Sequence, residues 1–207
     1  MSSRFPIPAQ TFRFEEEIQR SRFITTVAHA PTSAEAHSFI ATLREEFADA
    51  THNCWAFLAG PPGTSGQVGM SDDGEPHGTA GRPMLAVLTH SGVGEIVAVV
   101  TRYYGGTKLG KGGLVRAYSS GVQQALQALP TKEKVTYVEA RLMLGYSYVT
   151  QLKLMLTSLE VEIDEEEYEL DASFRLRVPE ERWSQFQTEI EGLTNGQALL
   201  EPETADR

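Results

Sequence analysis

Cations and glycines crowd one short stretch, residues 101–125, which contains no acidic residue. The cations are Arg102, Lys108, Lys111 and Arg116. Five glycines lie in the loop of this stretch: Gly105, Gly106, Gly110, Gly112 and Gly113. Backbone N–H groups of a glycine-rich loop that opens a helix, aided by cationic side chains, are the groups that bind phosphate oxygens. The stretch therefore predicts a phosphate-binding surface.

The elements around this loop are predicted from two apolar patterns. The run IVAVV at residues 96–100 is β-branched and apolar, which indicates a buried strand. After the loop, apolar residues recur every three or four positions, which is typical of a core-facing helix. They are Val115, Tyr118, Val122, Ala125 and Leu129. The loop is thus expected where a buried strand passes into a helix.

Three interpretations of the loop remain open. Residues 105–111 read GGTKLGK and satisfy the GxxxxGK part of a P-loop. Gly112 follows, however, where a Ser or Thr hydroxyl would hold Mg²⁺, which argues against nucleotide hydrolysis. Binding of phosphate or of an RNA backbone needs no such hydroxyl and is favoured. The remaining interpretation is that the glycines only permit close packing of strand and helix.

Three tyrosines flank the cations. Bases stack on aromatic rings with about 1–3 kcal/mol per base, and arginine or lysine beside the ring suits nucleic acid. Tyr118 lies on the apolar side of the predicted helix and is expected in the core, whereas Tyr103 or Tyr104, but not both, should face solvent. The predicted phosphate- or nucleic-acid-binding residues are Arg102, Tyr104, Gly105, Gly106, Lys108, Gly110, Lys111, Gly112, Gly113 and Arg116.

A second motif, SDDGEPHGTAGRPM at residues 71–84, is an acidic turn. Asp72, Asp73 and Glu75 with His77 could hold Mg²⁺ or Ca²⁺. We favour another role, in which Asp72 and Asp73 bond turn N–H groups or pair with Arg82 or Arg102. No CxxC or HExxH motif supports zinc. We therefore predict no metal and no cofactor. The residues expected to support the phosphate site are His52, Asp72, Asp73, Glu75 and Arg82.

No catalytic residue is assigned from the sequence. Cys54 and His52 lie two residues apart on a predicted strand, where side chains on the same face are about 7 Å apart. No third residue of the motif orients that pair. A partner distant in sequence, such as His77 or Asp72, stays open as an alternative.

Composition restricts the class of protein. The chain has 207 residues, 41% of them hydrophobic, and a single cysteine, which together favour a folded protein of a reducing cytoplasm. No run approaches the ~18 apolar residues of a membrane span, and MSSRFPIPAQ lacks the apolar core of a signal peptide. We expect a cytoplasmic protein with no membrane partner.

The net charge of −10 is unevenly distributed. Residues 1–130 hold 10 Lys and Arg against 11 Asp and Glu, whereas residues 131–207 hold 8 against 17. Such asymmetry indicates two domains with different roles. The acidic half should disfavour indiscriminate adhesion to nucleic acid, and could contact a basic protein partner.

The predicted organisation follows from these patterns. Residues 1–130 form the first domain, beginning with an extended arm at 1–12. Residues 61–69 are expected to be a mobile loop and residues 131–134 a polar linker. For residues 84–88 we favour a short helix, which Pro83 would begin, although the apolar run equally fits a strand. Residues 135–201 alternate as β-α-β-β-α-β, which is typical of a ferredoxin-like domain. Residues 202–207 are expected to be a disordered tail.

The motifs HNCWAF, SDDGEPHGTAGRPM and TRYYGGTKLGKGGLVRAYS resemble those of the IMPACT/YigZ family. The resemblance covers roughly residues 15–130, and the acidic half is similar to the bacterial C-terminal domain. It implies an α+β fold with two domains. The first would be a two-layer α/β domain of the type shared by a ribosomal protein and the GHMP kinases, and the second would be similar to the last domain of elongation factor G.

The resemblance also bears on function. Eukaryotic members regulate translation, using an additional N-terminal domain that we do not find here. We therefore expect a non-catalytic cytoplasmic factor that binds RNA or the ribosome through its first domain. The alternative is a small-molecule enzyme that binds a nucleotide or phosphometabolite at the glycine-rich loop, with Asp72 or Asp73 as base or metal ligand.

Overall fold

A computed structural model describes residues 4–63 and 67–203. The chain divides into two compact units, one formed by Phe5–Lys134 and the other by Val135–Arg207 with Met1–Arg4. The α+β class with two domains, predicted from the sequence, is confirmed. Each unit is described by itself.

The first unit is built on a five-stranded antiparallel sheet in the order β2-β3-β6-β4-β5. A further pair of strands, β1 and β7, forms a separate small sheet. The strands are β1 (Arg4–Pro8), β2 (Phe12–Ile18), β3 (Ser21–His29), β4 (His52–Leu58), β5 (Val68–Ser71), β6 (Ile96–Tyr103) and β7 (Thr131–Val135).

Helices cover both faces of the five-stranded sheet. They are α1 (Ser33–Glu46), α2 (Gly81–His90) and α3 (Gly110–Ala128). Met84 of α2 and Tyr118 of α3 pack in one core with Val100 of β6, whereas Ile40 of α1 packs on the opposite face with Val99. Because the central strand β6 is covered on both faces, its apolar residues do not alternate with polar ones.

Local signals explain where the helices begin. Thr32 caps α1 in a capping box, in which its hydroxyl accepts from the Glu35 amide at 3.2 Å and the Glu35 carboxylate accepts from the Thr32 amide at 3.1 Å. The helix predicted around residues 84–88 is confirmed as α2, with Pro83 in its first turn, where a missing N–H leaves no bond unmade.

Several sequence predictions are corrected in this unit. Residues 131–134 are not a linker but most of β7, which pairs with β1 in the predicted extended arm. Strand β2 was not predicted: Phe12, Phe14 and Ile18 alternate on its core-facing side, but Glu16 interrupts that side in the acidic run EEE. Residues 68–71 of the predicted loop form β5; residues 64–66 lie outside the described part of the chain, as do residues 1–3 of the arm.

The second unit has the predicted β-α-β-β-α-β order. Its antiparallel sheet runs β11-β8-β10-β9, with Leu152 and Phe186 of the two helices packed against Phe174. The elements are β8 (Tyr137–Leu144), α4 (Val149–Ser158), β9 (Glu162–Tyr168), β10 (Ala172–Pro179), α5 (Trp183–Thr194) and β11 (Leu199–Pro202).

The tail that was predicted to be disordered from residue 202 is ordered at its first two residues. Strand β11 includes Pro202, and the Glu203 amide donates to the Glu139 carbonyl at 2.8 Å. Residues 204–207 lie outside the described residues. Over residues 4–63 and 67–203, none of the helices has the length and apolar character that crossing a bilayer requires.

Glycines of the loop before α3 fall into two groups. A Cβ at Gly105 would lie 1.8 Å from the Arg20 carbonyl oxygen, so only glycine fits there. Gly106 and Gly110 have positive φ of 86° and 72° but meet nothing within 4 Å. Gly112 lies in the first turn of α3 with open space around its Cα.

This contrast predicts opposite effects on stability. Gly105→Ala should lower the free energy of unfolding by at least about 1–3 kcal/mol, because the backbone of the β2–β3 turn must move away. Gly112→Ala should instead raise it by up to about 1 kcal/mol, since alanine favours the helix. Urea denaturation measures both; equal stabilities of the two variants would contradict the proposed packing.

Candidate functional site

A cleft of about 520 Å³ opens in the first unit where three segments converge. These are the start of β4, the acidic turn after β5, and the end of β6 with the loop that leads into α3. The residues that line it are Thr51, His52, Glu75, Pro76, Arg102, Tyr104, Lys108, Leu109, Gly110, Lys111 and Leu114. The glycine-rich loop and the acidic turn, separate in sequence, therefore share one cavity.

A buried ion pair forms the floor of this cleft. The Arg102 Nη1 donates to Glu75 Oε1 at 2.6 Å, and the two side chains are only 6% and 3% exposed. Arg102 was predicted as a partner for Asp72 or Asp73, but its acidic partner is Glu75. Arg102 Nη2 also donates to the Ser21 hydroxyl at 3.3 Å.

The Arg102 guanidinium lies between two aromatic rings. Its central carbon is 5.4 Å from the ring centroid of Phe23 and 5.4 Å from that of Tyr104. Such cation–π contacts stabilise a desolvated guanidinium. Arg102 Nε is buried and has no hydrogen-bond partner among the described residues. Arg102 is therefore held mainly by Glu75 and by the two rings, and its Nε–H donates to no oxygen of the described residues.

Tyr118 and Cys54 extend the buried network. The Tyr118 hydroxyl donates to Glu75 Oε1 at 2.8 Å, and the Cys54 thiol donates to the Asp72 carbonyl at 3.0 Å. The thiol also lies 3.4 Å from the Tyr118 hydroxyl. Burial raises the pKa of both groups far above their ordinary values. Cys54 is thus a buried thiol without the thiolate character that a nucleophile needs.

His52 stands at the edge of the floor with a fixed orientation. Its Nδ1 is 2.8 Å from the Asp73 carbonyl oxygen, which can only accept, so Nδ1 carries the proton. Its Nε2 lies 3.9 Å from Glu75 Oε2, too far for a hydrogen bond. In the neutral imidazole, Nε2 is therefore an acceptor that lines the cleft.

The rim supplies the groups that the sequence predicted for phosphate. Lys108 and Lys111 are exposed, and within residues 4–63 and 67–203 neither has an acidic partner. The amides of Tyr104 and Gly105 are taken by Thr51 and Ser21 hydroxyls at 3.1 and 3.2 Å. Among the described residues, the amides of residues 106–109 donate to no backbone carbonyl, and residues 110–112 form the first turn of α3, whose amides have no helical carbonyl to reach.

The aromatic expectation is resolved in favour of Tyr104. Its side chain is 46% exposed at the rim, whereas Tyr103 donates its hydroxyl to Asp49 at 2.7 Å and lies beside Arg22. Tyr118 is fully buried, as its helical position predicts.

Two predicted cations lie elsewhere. Arg116 is exposed on α3 but does not line the cleft, and Arg82 lines a separate groove between α2 and α3.

Gly113 is packed, because a Cβ there would lie 3.0 Å from the Leu109 side chain. His77 is fully exposed, and its Nδ1 lies 3.7 Å from Asp72 Oδ2.

The two aspartates of the acidic turn have structural roles. Asp72 accepts from the amides of Gly78, Ala80 and Gly81 at 2.7–3.0 Å, which fixes the turn that leads into α2. Asp73 accepts from the Asn53 amide and from Arg44, both at 2.7 Å. Among the described residues, no group of three or more His, Cys, Asp or Glu side chains is arranged to hold a metal ion.

Fold and cleft together define a two-domain α+β protein whose first domain holds a cavity with exposed lysines at its rim and a buried Glu–Arg pair at its floor. The chain belongs to the IMPACT family: the Impact N-terminal domain matches residues 19–126. A domain of unknown function, DUF1949, matches residues 142–197. The resemblance seen in the motifs is therefore confirmed.

Two relatives are similar to this chain over nearly its whole length. The chain is 44% identical over 194 residues to the IMPACT family member YigZ of Escherichia coli (strain K12), covering 94% of this chain and 95% of that one. It is 40% identical over 199 residues to an IMPACT family member of Haemophilus influenzae, covering 96% and 97%. A crystal structure described as that of a hypothetical protein matches all of both chains, with 41% identity and a TM-score of 0.69.

The ion pair on the cleft floor should behave as a coupled unit. Glu75→Leu leaves Arg102 charged and buried, which is expected to lower stability by about 3–5 kcal/mol. The double variant Glu75→Leu with Arg102→Met should lose clearly less than the sum of the two single variants. A double-mutant cycle by urea denaturation measures the coupling, and additive losses would contradict it.

Asp72 should make stability depend on pH in the acid range. Burial raises its pKa, but the amides of Gly78, Gly81 and Ala80 lower it further, so the net pKa is below the ordinary value. Its contribution is fully present above the unfolded pKa of about 3.9 and is lost as pH falls through the lower folded pKa.

The test compares the wild type with Asp72→Asn by urea denaturation between neutral pH and about pH 2. At neutral pH the variant should be less stable by about 1–3 kcal/mol, because one amide loses a charged acceptor. The difference should shrink as the wild-type carboxylate is protonated. Glu45→Gln, an exposed helix residue, serves as the matched control, and a difference that stays constant with pH would disprove the assignment.

Proposed function

We propose that the first domain binds RNA, with one nucleotide unit and its phosphate seated in the cleft. The protein would act in the cytoplasm as a non-catalytic factor that engages RNA or the ribosome and regulates translation. The observation that carries the proposal is the rim of the cleft. There, two lysines without acidic partners and a run of unpaired loop amides lie beside an exposed tyrosine ring.

Each part of the rim suits a different part of a nucleotide. Lys108 and Lys111 attract phosphate oxygens from a distance, and the amides of the loop offer directed donors at closer range. Tyr104 offers a ring face on which a base can stack, reinforced by the guanidinium of Arg102 beneath it. The arrangement fits single-stranded nucleic acid, because the base must be unstacked to reach the ring.

The second domain supports selectivity rather than affinity in this proposal. Its acidic strand β9 is exposed along its length, and acidic surface repels nucleic acid at long range. Binding would then depend on the cleft, with little contribution from general electrostatic adhesion. The same acidic surface is the proposed contact for a basic protein partner.

The lysine pair gives a direct test. Lys108→Ala with Lys111→Ala should weaken binding of a labelled single-stranded RNA and of ribosomes. The slope of log K against log salt should also fall by about 1.4, since each lost single-strand phosphate contact removes about 0.7. Fluorescence anisotropy at several salt concentrations measures both quantities.

A matched control separates site binding from net charge. Arg82→Ala with Arg116→Ala removes the same charge from exposed positions outside the cleft, and should change affinity and slope much less. If the lysine variant binds RNA and ribosomes like the wild type, or if the two double variants lose affinity equally, the cleft is not the RNA site.

A second candidate is an enzyme acting on a nucleotide or another small phosphorylated molecule. It is favoured by His52 Nε2 and Glu75 Oε2, which line the same cavity without a hydrogen-bond partner among the described residues and could serve as bases. Asp72 and Asp73, offered for that role by the sequence, are occupied by backbone amides and Arg44.

The two candidates differ in their response to small ligands. For the enzyme, ATP or a phosphorylated metabolite should raise the melting temperature through linkage to the native state. His52→Phe should remove turnover of that ligand while Lys108→Ala weakens its binding. If no compound of a broad phosphorylated set shifts the melting temperature while RNA still binds, the RNA interpretation is favoured.

A further inference from the structure

Two hydrogen-bond acceptors line the cleft without hydrogen-bond partners among residues 4–63 and 67–203. One is Glu75 Oε2, on a carboxylate that is 3% exposed, and the other is His52 Nε2. Their separation is 3.9 Å. Neither atom is among the fully buried side-chain atoms that lack a partner in the described structure, so both are accessible from the cleft. Acceptors that the protein holds in place at the surface of a cavity are the groups that fix the donors of a ligand.

The other acceptor and donor positions of these side chains are already used. Glu75 Oε1 accepts from both Arg102 and Tyr118, which fixes the carboxylate and leaves Oε2 as its remaining oxygen. His52 Nδ1 donates to the Asp73 carbonyl, which fixes the ring and leaves Nε2 as the acceptor of the neutral imidazole. Neither group can rotate to satisfy itself without breaking these bonds.

The spacing specifies the kind of ligand group. Two acceptors 3.9 Å apart are matched by two donors on neighbouring atoms, since a single hydroxyl carries only one proton to donate. The lysines and loop amides of the same cleft suit an anion carried by the same ligand. A ribonucleotide combines both features.

We infer that the cleft recognises a ribonucleotide through two neighbouring donors, which bind His52 Nε2 and Glu75 Oε2 while its phosphate lies at Lys108 and Lys111. This inference rests on the proposed function and adds the chemistry by which the site selects its ligand. Two parts of a ribonucleotide carry such donors. One is the 2′,3′-diol of a terminal ribose, and the other is the N1–H and N2–H₂ edge of guanine.

The test uses four 5′-labelled RNA hexamers of otherwise identical, guanine-free sequence. Their 3′ residue is adenosine, 2′-deoxyadenosine, guanosine or 2′-deoxyguanosine. If the diol is the donor pair, both ribose-terminated oligomers should bind about 10- to 100-fold more tightly than their deoxy counterparts, the range expected for one lost bond to a charged or buried acceptor. If the guanine edge is the donor pair, both guanine-terminated oligomers should bind more tightly by a similar factor.

Variants assign the selectivity to the acceptors. His52→Phe keeps a ring at this position and leaves the Glu75–Arg102 pair in place. The ratio of affinities between the favoured and the disfavoured oligomers should fall toward one, while circular dichroism shows that the protein stays folded. Glu75→Gln turns one acceptor into an amide and should do the same. His77→Ala, a fully exposed histidine outside the cleft, is the control and should leave the selectivity unchanged.

The outcomes separate this inference from the proposed function. Equal binding of all four oligomers by the wild type, with weaker binding by the Lys108→Ala, Lys111→Ala variant, would overturn the donor pair and keep the phosphate site. Selectivity that survives in both His52→Phe and Glu75→Gln would also overturn it. If none of the oligomers binds the wild type, the proposed function itself fails, and the inference fails with it.

Discussion

The buried ion pair between Glu75 and Arg102 is the interaction on which the first domain's cleft depends. A desolvated charge is strongly unfavourable unless it is paired and hydrogen-bonded, so the acidic turn cannot separate from the end of β6. Tyr118 adds α3 to the same carboxylate, and Ser21 adds the start of β3 to the same guanidinium. One charged contact thus fixes four segments that are far apart in sequence.

The polar side chains at the floor of the cleft are hydrogen-bonded within the protein. Among the described residues, the lysines and several loop amides at its rim are not. Below, the network reaches Cys54 and the core between the sheet and α3. Above, the Gly105 amide donates to the Ser21 hydroxyl close to the Arg20 backbone, and among the described residues the amides of residues 106–109 donate to no backbone carbonyl. The same loop is therefore architectural at its first glycine and open to a ligand after it.

The second domain balances much of its acidity within its own sheet. Arg177 of β10 pairs with Glu162 and Asp164 of β9, and Lys153 of α4 pairs with Glu166. Charged residues along an edge strand also disfavour pairing with another chain. The acidic residues of β9 are thus largely explained by ion pairs within the domain and by protection of an edge strand. The proposed contact with a partner concerns those acidic side chains of β9 that are exposed and unpaired among the described residues.

The sequence by itself determined the features that depend on neighbours along the chain. Apolar periodicity predicted α3 and the βαββαβ domain, the glycines marked the loop, and the family motifs identified the family. It did not determine that Glu75, rather than Asp72 or Asp73, pairs with Arg102, nor that Arg82 and Arg116 lie outside the cleft. Those facts depend on strand register and helix phase across residues that are far apart in sequence. Burial decides which carboxylate must meet a cation, and burial is a property of the assembled tertiary structure.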